Sequence, residues 1–437
     1  MVGGDRVAGA APPGLQRRIG LFGATASGVG IILGAGIYVL VGEAAGLAGN
    51  GVWLAFLVSA LLVAGTSLSY AELTSMLPEA GAASTYAQIA FGRRAGFVTG
   101  WMDVSENAIA APAVALGFSS YLATLTGWDG TVIAIGLLAC CAVIVLAGVS
   151  QTIGFATVFA LIEASGLIVV IVVGLPHLGD VNLFEVHGGA QGLLGASALV
   201  FFAYIGFEEM ASLSEEVKDP TRNIPRAMLA AAAISTLLYM LVAAVAVSVV
   251  PWERLAEADG PLALVTRMAI SDRAADTLSL MALFATFNTV LLILATGPRV
   301  MYGMARRGML PPALGTVWAA RGTPSVAILI TTAVAMAFAL TGDIGFVAQV
   351  SNFAVFTLFV MVNGAVIWLR QRRPELVRPF RIRPSVGPAP LPAVIGLAGA
   401  LGLAAFMDRT ALVVGLGALA VGGVLSFILV PKRDGTT

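Results

Sequence analysis

Two apolar stretches interrupted by glycine or carboxylate decide the fold of this chain: Gly28-Val-Gly-Ile-Ile-Leu-Gly34-Ala35-Gly36-Ile37-Tyr38 and Phe201-Phe-Ala-Tyr-Ile-Gly206-Phe-Glu208-Glu209. Both are apolar enough to enter a bilayer, yet they carry glycines or carboxylates where a plain membrane anchor carries Leu or Val. A helix that breaks inside a membrane exposes backbone N–H and C=O groups that lipid cannot satisfy. We therefore expect both breaks to face protein, water or a ligand, and to form a binding site.

The composition of the whole chain is that of an integral membrane protein. Of its 437 residues, 58% are hydrophobic and 11% are charged, and the mean hydropathy is +0.94. A soluble domain of this length needs far more charge to cover its surface. Because a bilayer core about 30 Å thick needs about 20 helical residues, we predict twelve transmembrane helices. They lie near 20–42, 52–70, 96–124, 131–149, 154–175, 190–212, 227–250, 276–303, 324–341, 344–370, 391–407 and 410–430.

The distribution of positive charge predicts the orientation of the chain. If the N-terminus is cytoplasmic, all but four of the 24 Lys and Arg residues fall in the cytoplasmic connections, the four being Arg254, Arg267, Arg273 and Arg409. The positive-inside rule then favours an even number of helices and places both termini in the cytoplasm. The predicted location is the inner (cytoplasmic) membrane, crossed many times.

The two broken segments are the first and the sixth of the predicted helices. They hold equivalent places in two units of five helices, near 20–175 and 190–370. Because five is odd, the second unit enters the membrane from the opposite side, which predicts an all-α fold with a five-plus-five inverted repeat. Paired discontinuous helices in inverted halves are typical of secondary transporters. Outside this core of 15–370 we expect a disordered tail (1–14), a cytoplasmic loop (371–390), two peripheral helices (391–430) and a short tail (431–437).

The first break favours binding of an anion. Unwinding at Gly34, Ala35 and Gly36 would free N–H groups at the start of the next half-helix, where partial positive charge attracts a carboxylate. Gly30 and Gly34 also form a GxxxG pair, so close helix packing explains these glycines equally well.

The second break favours binding of a cation. Carbonyl groups freed between Phe202 and Gly206 could face an ammonium group. An ionised Glu208 at the centre of a helix would cost about 2.5–3.5 kcal/mol, so this carboxylate must be protonated, paired with a cation or exposed to a cavity. The alternative is that Glu208 lies near the cytoplasmic end of its helix and is hydrated.

Motifs along nearly the whole chain resemble those of the amino acid-polyamine-organocation (APC) superfamily. In order, they are Ile32-Leu-Gly-Ala-Gly-Ile-Tyr38, Tyr70-Ala-Glu72-Leu, Pro78-Glu-Ala-Gly81-Ala-Ala-Ser-Thr-Tyr86, Gly100-Trp101, Tyr204-Ile-Gly-Phe-Glu208, Glu215-Glu216-Val-Lys218-Asp-Pro220-Thr-Arg222-Asn-Ile-Pro225-Arg226-Ala and Gly297-Pro-Arg299-Val-Met-Tyr302-Gly-Met-Ala-Arg306-Arg-Gly308-Met-Leu-Pro311. The resemblance implies a bacterial amino acid permease with the LeuT-like (APC) fold, in which two helices follow the inverted repeat.

The resemblance also implies where the substrate binds. In the family, the broken first helix holds the α-carboxylate, here at Ala35 and Gly36, and carbonyl groups hold the α-amine. Phe202 matches the position of an aromatic gate, and Glu106 matches a position where many relatives have Glu facing the central site. The amine-binding carbonyls carry over to Ile32, Phe202, Ala203 and Ile205, and the predicted substrate site also contains Gly34, Tyr204, Gly206 and Glu208.

Glu163, in the fifth helix, is the predicted centre of ion coupling. Some proton-coupled relatives have a lysine at this place, so its absence here puts a lysine-based mechanism in doubt. Glu163 could carry the coupling proton or help to bind sodium; alternatively, it is a protonated structural residue. Asn288 and Thr289 face the fifth helix in the family's arrangement and could complete a cation site, or could form ordinary helix–helix hydrogen bonds.

We therefore predict a secondary active transporter of amino acids, working by proton symport and alternating access. Amino acid or amine exchange, transport of cationic amino acids or polyamines, and sodium coupling are the alternatives. We expect neither catalytic nor metal-binding residues, because both histidines fall in one loop and both cysteines are adjacent. The expected partners are a small-molecule substrate and the lipid bilayer, without nucleic acid and without a cofactor other than the driving ion. The sequence does not assign the oligomeric state.

Overall fold

The computed structural model describes residues 19–77, 83–148, 153–215, 217–318 and 321–430. The predicted tails, 1–14 and 431–437, and the start of the motif at Pro78 lie outside these described residues. The described part of the chain is largely α-helical, with one small antiparallel hairpin between the last long core helix and the final two helices.

Sixteen α-helices follow one another in the described residues. They are α1 Leu21–Ile32, α2 Gly36–Ala48, α3 Val52–Met76, α4 Ala83–Phe91, α5 Arg93–Thr126, α6 Gly130–Leu146, α7 Ile153–Gly174, α8 Gly189–Val200, α9 Pro220–Val249, α10 Trp252–Ala256, α11 Pro261–Ala269, α12 Asp272–Arg306, α13 Ser325–Ala339, α14 Ile344–Arg372, α15 Leu391–Ala404 and α16 Arg409–Leu429. Short 3₁₀ segments occupy Gly49–Gly51, Leu175–His177, Phe201–Tyr204, Phe207–Glu215 and Pro312–Gly315, and the hairpin pairs β1 (Ser385–Val386) with β2 (Ala389–Pro390).

Seven helical runs in the described residues are long and apolar enough to cross a membrane, judged by length and composition. They are Gly36–Met76, Arg93–Thr126, Val158–His177, Pro220–Val249, Asp272–Arg306, Ile344–Arg372 and Arg409–Leu429. Five further apolar helices are shorter: Leu21–Ile32, Gly130–Leu146, Gly189–Tyr204, Ser325–Ala339 and Leu391–Ala404. Helices thus lie over all the predicted segments, and the all-helical membrane protein is confirmed. The number of crossings and the inverted repeat stay predictions.

The core of the bundle lies where the two broken segments meet the long helices. The long helix α5 packs against α12 and α14, while α9 packs against both α1 and α3. Aromatic rings fill this region, and Tyr239, Tyr204 and Phe56 are all fully buried there. Because α9 packs against α1, which ends at the first break, its side chains can reach the break.

The outermost helices carry apolar residues on their exposed faces. Along α16, the side chains of Val413, Val424, Phe427 and Ile428 are each at least 60% exposed. In water, a continuous apolar face of this kind would favour association, whereas a lipid-facing helix requires it. The surface of the described residues therefore agrees with the membrane location indicated by composition.

Candidate functional site

The first break separates α1 from α2. α1 ends at Ile32, and α2 begins at Gly36. Glycine is a poor helix former, so Gly34 and Gly36 lower the cost of leaving the helical path on both sides of Ala35. The Ala35 N–H, which we predicted to meet a carboxylate, donates to Oγ1 of Thr289 on α12 at 3.3 Å. Thr289 therefore lies at the first break.

The second break follows α8 and the 3₁₀ turn Phe201–Tyr204. Ile205 is extended, with φ −57° and ψ 140°, and Gly206 has φ +107°. This left-handed φ is strained for any residue with a Cβ atom. Glu208 Oε2 accepts a hydrogen bond from the Gly206 N–H at 3.1 Å. The carboxylate that we assigned to the substrate site thus satisfies backbone two residues away.

The two breaks lie in direct contact with each other. A methyl group added at Gly36 would lie 2.5 Å from Cα of Ala203, and one added at Gly206 would lie 3.0 Å from Cγ2 of Ile31. Separations this short leave no room for a side chain at Gly36. The predicted carboxylate-binding and amine-binding segments therefore form one continuous surface.

Tyr239 of α9 joins the two breaks, and we did not predict it. Its buried hydroxyl lies 2.6 Å from the carbonyl oxygen of Ile32 and 3.0 Å from that of Ala203. A hydroxyl has one hydrogen to donate, so these two carbonyl oxygens share it. Both belong to the predicted amine-binding set. The sequence signal was weak, because Tyr239 is one of several polar residues in α9.

Two other polar side chains fix the segment before the second break. Asn352 of α14 donates from Nδ2 to the carbonyl oxygens of Ala198 and Leu199, at 2.7 and 3.0 Å, and so satisfies the end of α8. The predicted site residue Tyr204 donates to the carbonyl oxygen of Phe56 at 3.0 Å. Asn352 was also missed, because α14 has two buried amides, Asn352 and Asn363, and the sequence does not identify the partner of either.

The aromatic side chain predicted as a gate and the carboxylate of the third predicted helix are both buried. Phe202 is 6% exposed, and so is Glu106. Glu106 lies close enough to Glu208 and Asp103 for their charges to interact. No Lys or Arg nitrogen of the described residues lies within 4.0 Å of the Glu106 carboxylate. This side of the site therefore has an excess of acidic groups.

Glu163 and Asn288 lie together, in the arrangement that we expected for ion coupling. The Asn288 side chain lies beside the Glu163 carboxyl group, and both residues are buried. Glu163 Oε1 and Asn288 Oδ1 have no hydrogen-bond partner among the described residues. The Tyr38 hydroxyl donates to the backbone oxygen of Glu163 at 2.6 Å. A buried oxygen without a partner is costly unless a proton or a cation meets it.

A cavity of about 730 Å³ lies at the end of α2, beside the start of α14 and the start of α16. Its lining includes three carboxylates, Glu43, Asp343 and Asp408. Asp343 and Asp408 cap their helices by accepting backbone N–H groups, both at 2.8 Å. The carboxylates also make this cavity acidic, so it would attract cations more than anions.

Comparisons with known proteins agree with this architecture. The profile of the family described as amino acid permease matches residues 19–431. A branched-chain amino acid permease and a methylthioribose transporter, both of Bacillus subtilis (strain 168), are 28% and 30% identical to the chain, and each match covers 84% of both sequences. A vacuolar cationic amino acid transporter of Arabidopsis thaliana is 29% identical over 83% of this chain and 65% of its own length.

Proposed function

The chain belongs to the amino acid permease family, and on this premise we propose that it moves an amino acid across the cell membrane by secondary active transport in symport with protons. The family and the named relatives are transporters and not enzymes. The substrate class is that of the family, a small amino acid-like molecule. Our proposal concerns the particular substrate, the driving ion and the transport mechanism.

The contact between the two breaks carries the proposal for substrate binding. The N–H groups of Ala35 and Gly36 stand at the start of α2, where a helix has partial positive charge, and they would hold the α-carboxylate. The carbonyl oxygens of Ile32 and Ala203 would hold the α-amine, in place of the Tyr239 hydroxyl that they share in this structure. Binding an amino acid would therefore connect both broken helices.

The proposed mechanism is alternating access, with one break in each of two helical units. We propose twelve crossings in a five-plus-five inverted repeat, with both termini in the cytoplasm. The breaks after α1 and after α8, at equivalent places in the two units, support this arrangement. The substrate would bind at the midplane while one unit moves relative to the other.

Proton coupling rests on the Glu163–Asn288 pair. A neutral Glu163 can donate a hydrogen bond, and Asn288 Oδ1, which has no partner among the described residues, could accept it. When Glu163 is ionised in this buried place, it requires a cation or water. We propose that proton binding to Glu163 permits closure around the substrate and that proton release permits opening. Sodium at the same pair of oxygens is the alternative.

Uptake by purified protein in proteoliposomes tests the coupling. An inward pH gradient should drive accumulation of the amino acid, a protonophore should abolish it, and a sodium gradient without a pH gradient should not replace it. Glu163→Gln should abolish pH-driven accumulation, whereas Glu185→Gln, in an exposed loop, should not. Accumulation by the Glu163→Gln protein that still follows the pH gradient would remove this residue from the mechanism.

A cationic amino acid or amine is the second candidate substrate. The acidic groups Glu106, Asp103 and Glu208 lie near one another beside the breaks, and one of the relatives is named a cationic amino acid transporter. Competition for uptake by leucine, arginine, putrescine, glutamate and methylthioribose would rank the classes. Exchange would be recognised because uptake would then require an amino acid inside the vesicles.

A further inference from the structure

The loop that follows α14, residues 373–390, is fixed to the bundle by one buried carboxylate. Glu72 of α3 is 1% exposed and accepts hydrogen bonds from Arg370 Nε and from the backbone N–H of Ile382, each at 2.8 Å. Arg370 Nη2 also binds Glu72, and Arg378 Nε lies 3.6 Å from it. Because Ile382 and Arg378 belong to the loop, their contacts with Glu72 hold the loop against α3 and α14.

A cavity of about 260 Å³ lies between this loop and the end of α14. It is lined by three arginines and three apolar residues, namely Arg370, Arg378 and Arg381 with Pro374, Leu376 and Pro388. The lining contains neither Asp nor Glu. Glu72 is already shared by two of the arginines, and Glu375, whose charge also acts on Arg378, is paired with Arg373.

Several N–H donors at this cavity are unused. The Arg370 side chain is 3% exposed, yet its Nη1 has no hydrogen-bond partner in the part of the chain that the structure describes, and the same is true of Arg378 Nε. Arg381 forms no ion pair with any of the described residues. A buried N–H group without an acceptor is costly. The cavity therefore has both excess positive charge and spare donors.

A purely structural role explains only part of this cluster. Arg378 donates to the carbonyl oxygens of Leu369 and Arg373, both at 3.0 Å, and so satisfies the end of α14. That role leaves the Arg370 Nη1 donor and the Arg381 charge unexplained. Burial is the main reason why the pKa of Arg378 is lowered; the Glu72 carboxylate opposes this effect, and the positive charges of Arg370 and Arg381 add to it.

We propose that this cavity binds a phosphate group, carried either by a free phosphate compound or by the headgroup of a lipid. Guanidinium groups present pairs of N–H donors whose spacing matches the oxygens of phosphate, and each such pair forms charge-assisted hydrogen bonds. Phosphate would supply acceptors to Arg370, Arg378 and Arg381 together. The bound group would link α14 to the loop and, through Glu72, to α3.

The test measures stabilisation of the full-length purified protein without an amino acid substrate. In detergent, the thermal unfolding midpoint is followed by tryptophan fluorescence while inorganic phosphate replaces chloride at constant ionic strength. In a second arm, without free phosphate, the protein is placed in phosphatidylcholine nanodiscs with or without phosphatidic acid. Arg381→Gln removes an exposed cavity residue outside the Glu72 contacts, and Arg383→Gln is the matched control, since it is exposed and does not line the cavity.

We expect a saturable rise of the midpoint in the wild type and in Arg383→Gln, and a requirement for about tenfold more ligand in Arg381→Gln. Saturation by inorganic phosphate assigns the site to a free phosphate compound, and stabilisation by phosphatidic acid alone assigns it to a lipid headgroup. The proposal is overturned if neither probe stabilises the wild type, or if the two variants respond alike. Because no transport is measured, these outcomes do not depend on the proposed function.

Discussion

The first break, between α1 and α2, is held by side chains far away in the sequence, whereas the second, after α8, combines such contacts with a turn that its own residues stabilise. At the first, Thr289 of α12 accepts the Ala35 N–H, and Tyr239 of α9 binds the carbonyl oxygen of Ile32. At the second, Gly206 supplies the left-handed turn and Glu208 accepts its N–H. The two breaks therefore differ in how much they depend on distant helices: the first relies on α9 and α12, while the second stabilises part of its own turn.

Replacing Gly36 by Ala should have the largest effect, because it pushes the breaks apart. The added methyl group would lie 2.5 Å from Cα of Ala203, which is backbone and cannot rotate away. We expect a loss of stability of about 1–3 kcal/mol and loss of most uptake, measured by thermal unfolding and in proteoliposomes. Gly34→Ala is the control, since its methyl group would meet Thr289 Oγ1 at an ordinary 3.4 Å. Equal damage from both changes would show that the first break requires flexible backbone and not close contact.

Gly206→Ala should have the next largest effect, acting on the second break alone. A residue with a Cβ atom at φ +107° is strained by about 1–2 kcal/mol, and the methyl group would also lie 3.0 Å from Ile31. We expect lower stability and weaker amino acid binding, measured by substrate-dependent thermal shift. Gly195→Ala, earlier in the same segment and without close neighbours, should bind as the wild type does. Normal binding by Gly206→Ala would mean that this turn is not part of the substrate site.

Tyr239→Phe should have an intermediate effect. It removes the hydroxyl that bonds to both breaks and keeps the aromatic ring. Two buried carbonyl oxygens lose their donor, at a cost of about 1 kcal/mol in the substrate-free protein. If the substrate amine replaces the hydroxyl, the variant should bind amino acids up to about fivefold more tightly. Tyr121→Phe is the matched control, because this buried residue of α5 also loses one hydroxyl hydrogen bond, to the carbonyl oxygen of Tyr38, and should change stability without changing affinity. Weaker binding by Tyr239→Phe would contradict the exchange of hydroxyl for amine.

Thr289→Val should have the smallest effect. It removes the acceptor for the Ala35 N–H, a hydrogen bond of 3.3 Å, and we expect a loss of about 0.5–1 kcal/mol in the free energy of unfolding. Thr289→Ser retains the hydroxyl and should resemble the wild type. If Thr289→Val instead loses proton-driven uptake at normal stability, Thr289 takes part in ion coupling with Glu163, as we predicted from the sequence.

Much of the fold and part of the candidate site could be predicted from local features of the sequence, namely hydropathy, glycine positions and ordered motifs. Hydropathy located the helices, because lipid excludes charge over a whole span, and the glycines marked both breaks. The partner of Glu163 was anticipated through the family's arrangement. The contacts of Tyr239 and Asn352 could not be predicted, because a buried polar residue in a membrane helix does not reveal which distant carbonyl it satisfies. The same holds for Arg370, whose partner Glu72 is 298 residues away.

The sequence was sufficient to predict a helical membrane protein of the amino acid permease family, with two interrupted helices and a carboxylate in the fifth predicted span. These properties depend on composition, local backbone preference and ordered motifs, which are all present along the chain. Contacts between distant segments became visible only in the tertiary structure. These are Gly36 with Ala203, Tyr239 with both breaks, Thr289 with Ala35, and Asn288 with Glu163. Contacts between distant segments depend on how the helices pack, because rotation of one helix by a single residue changes every partner that it meets.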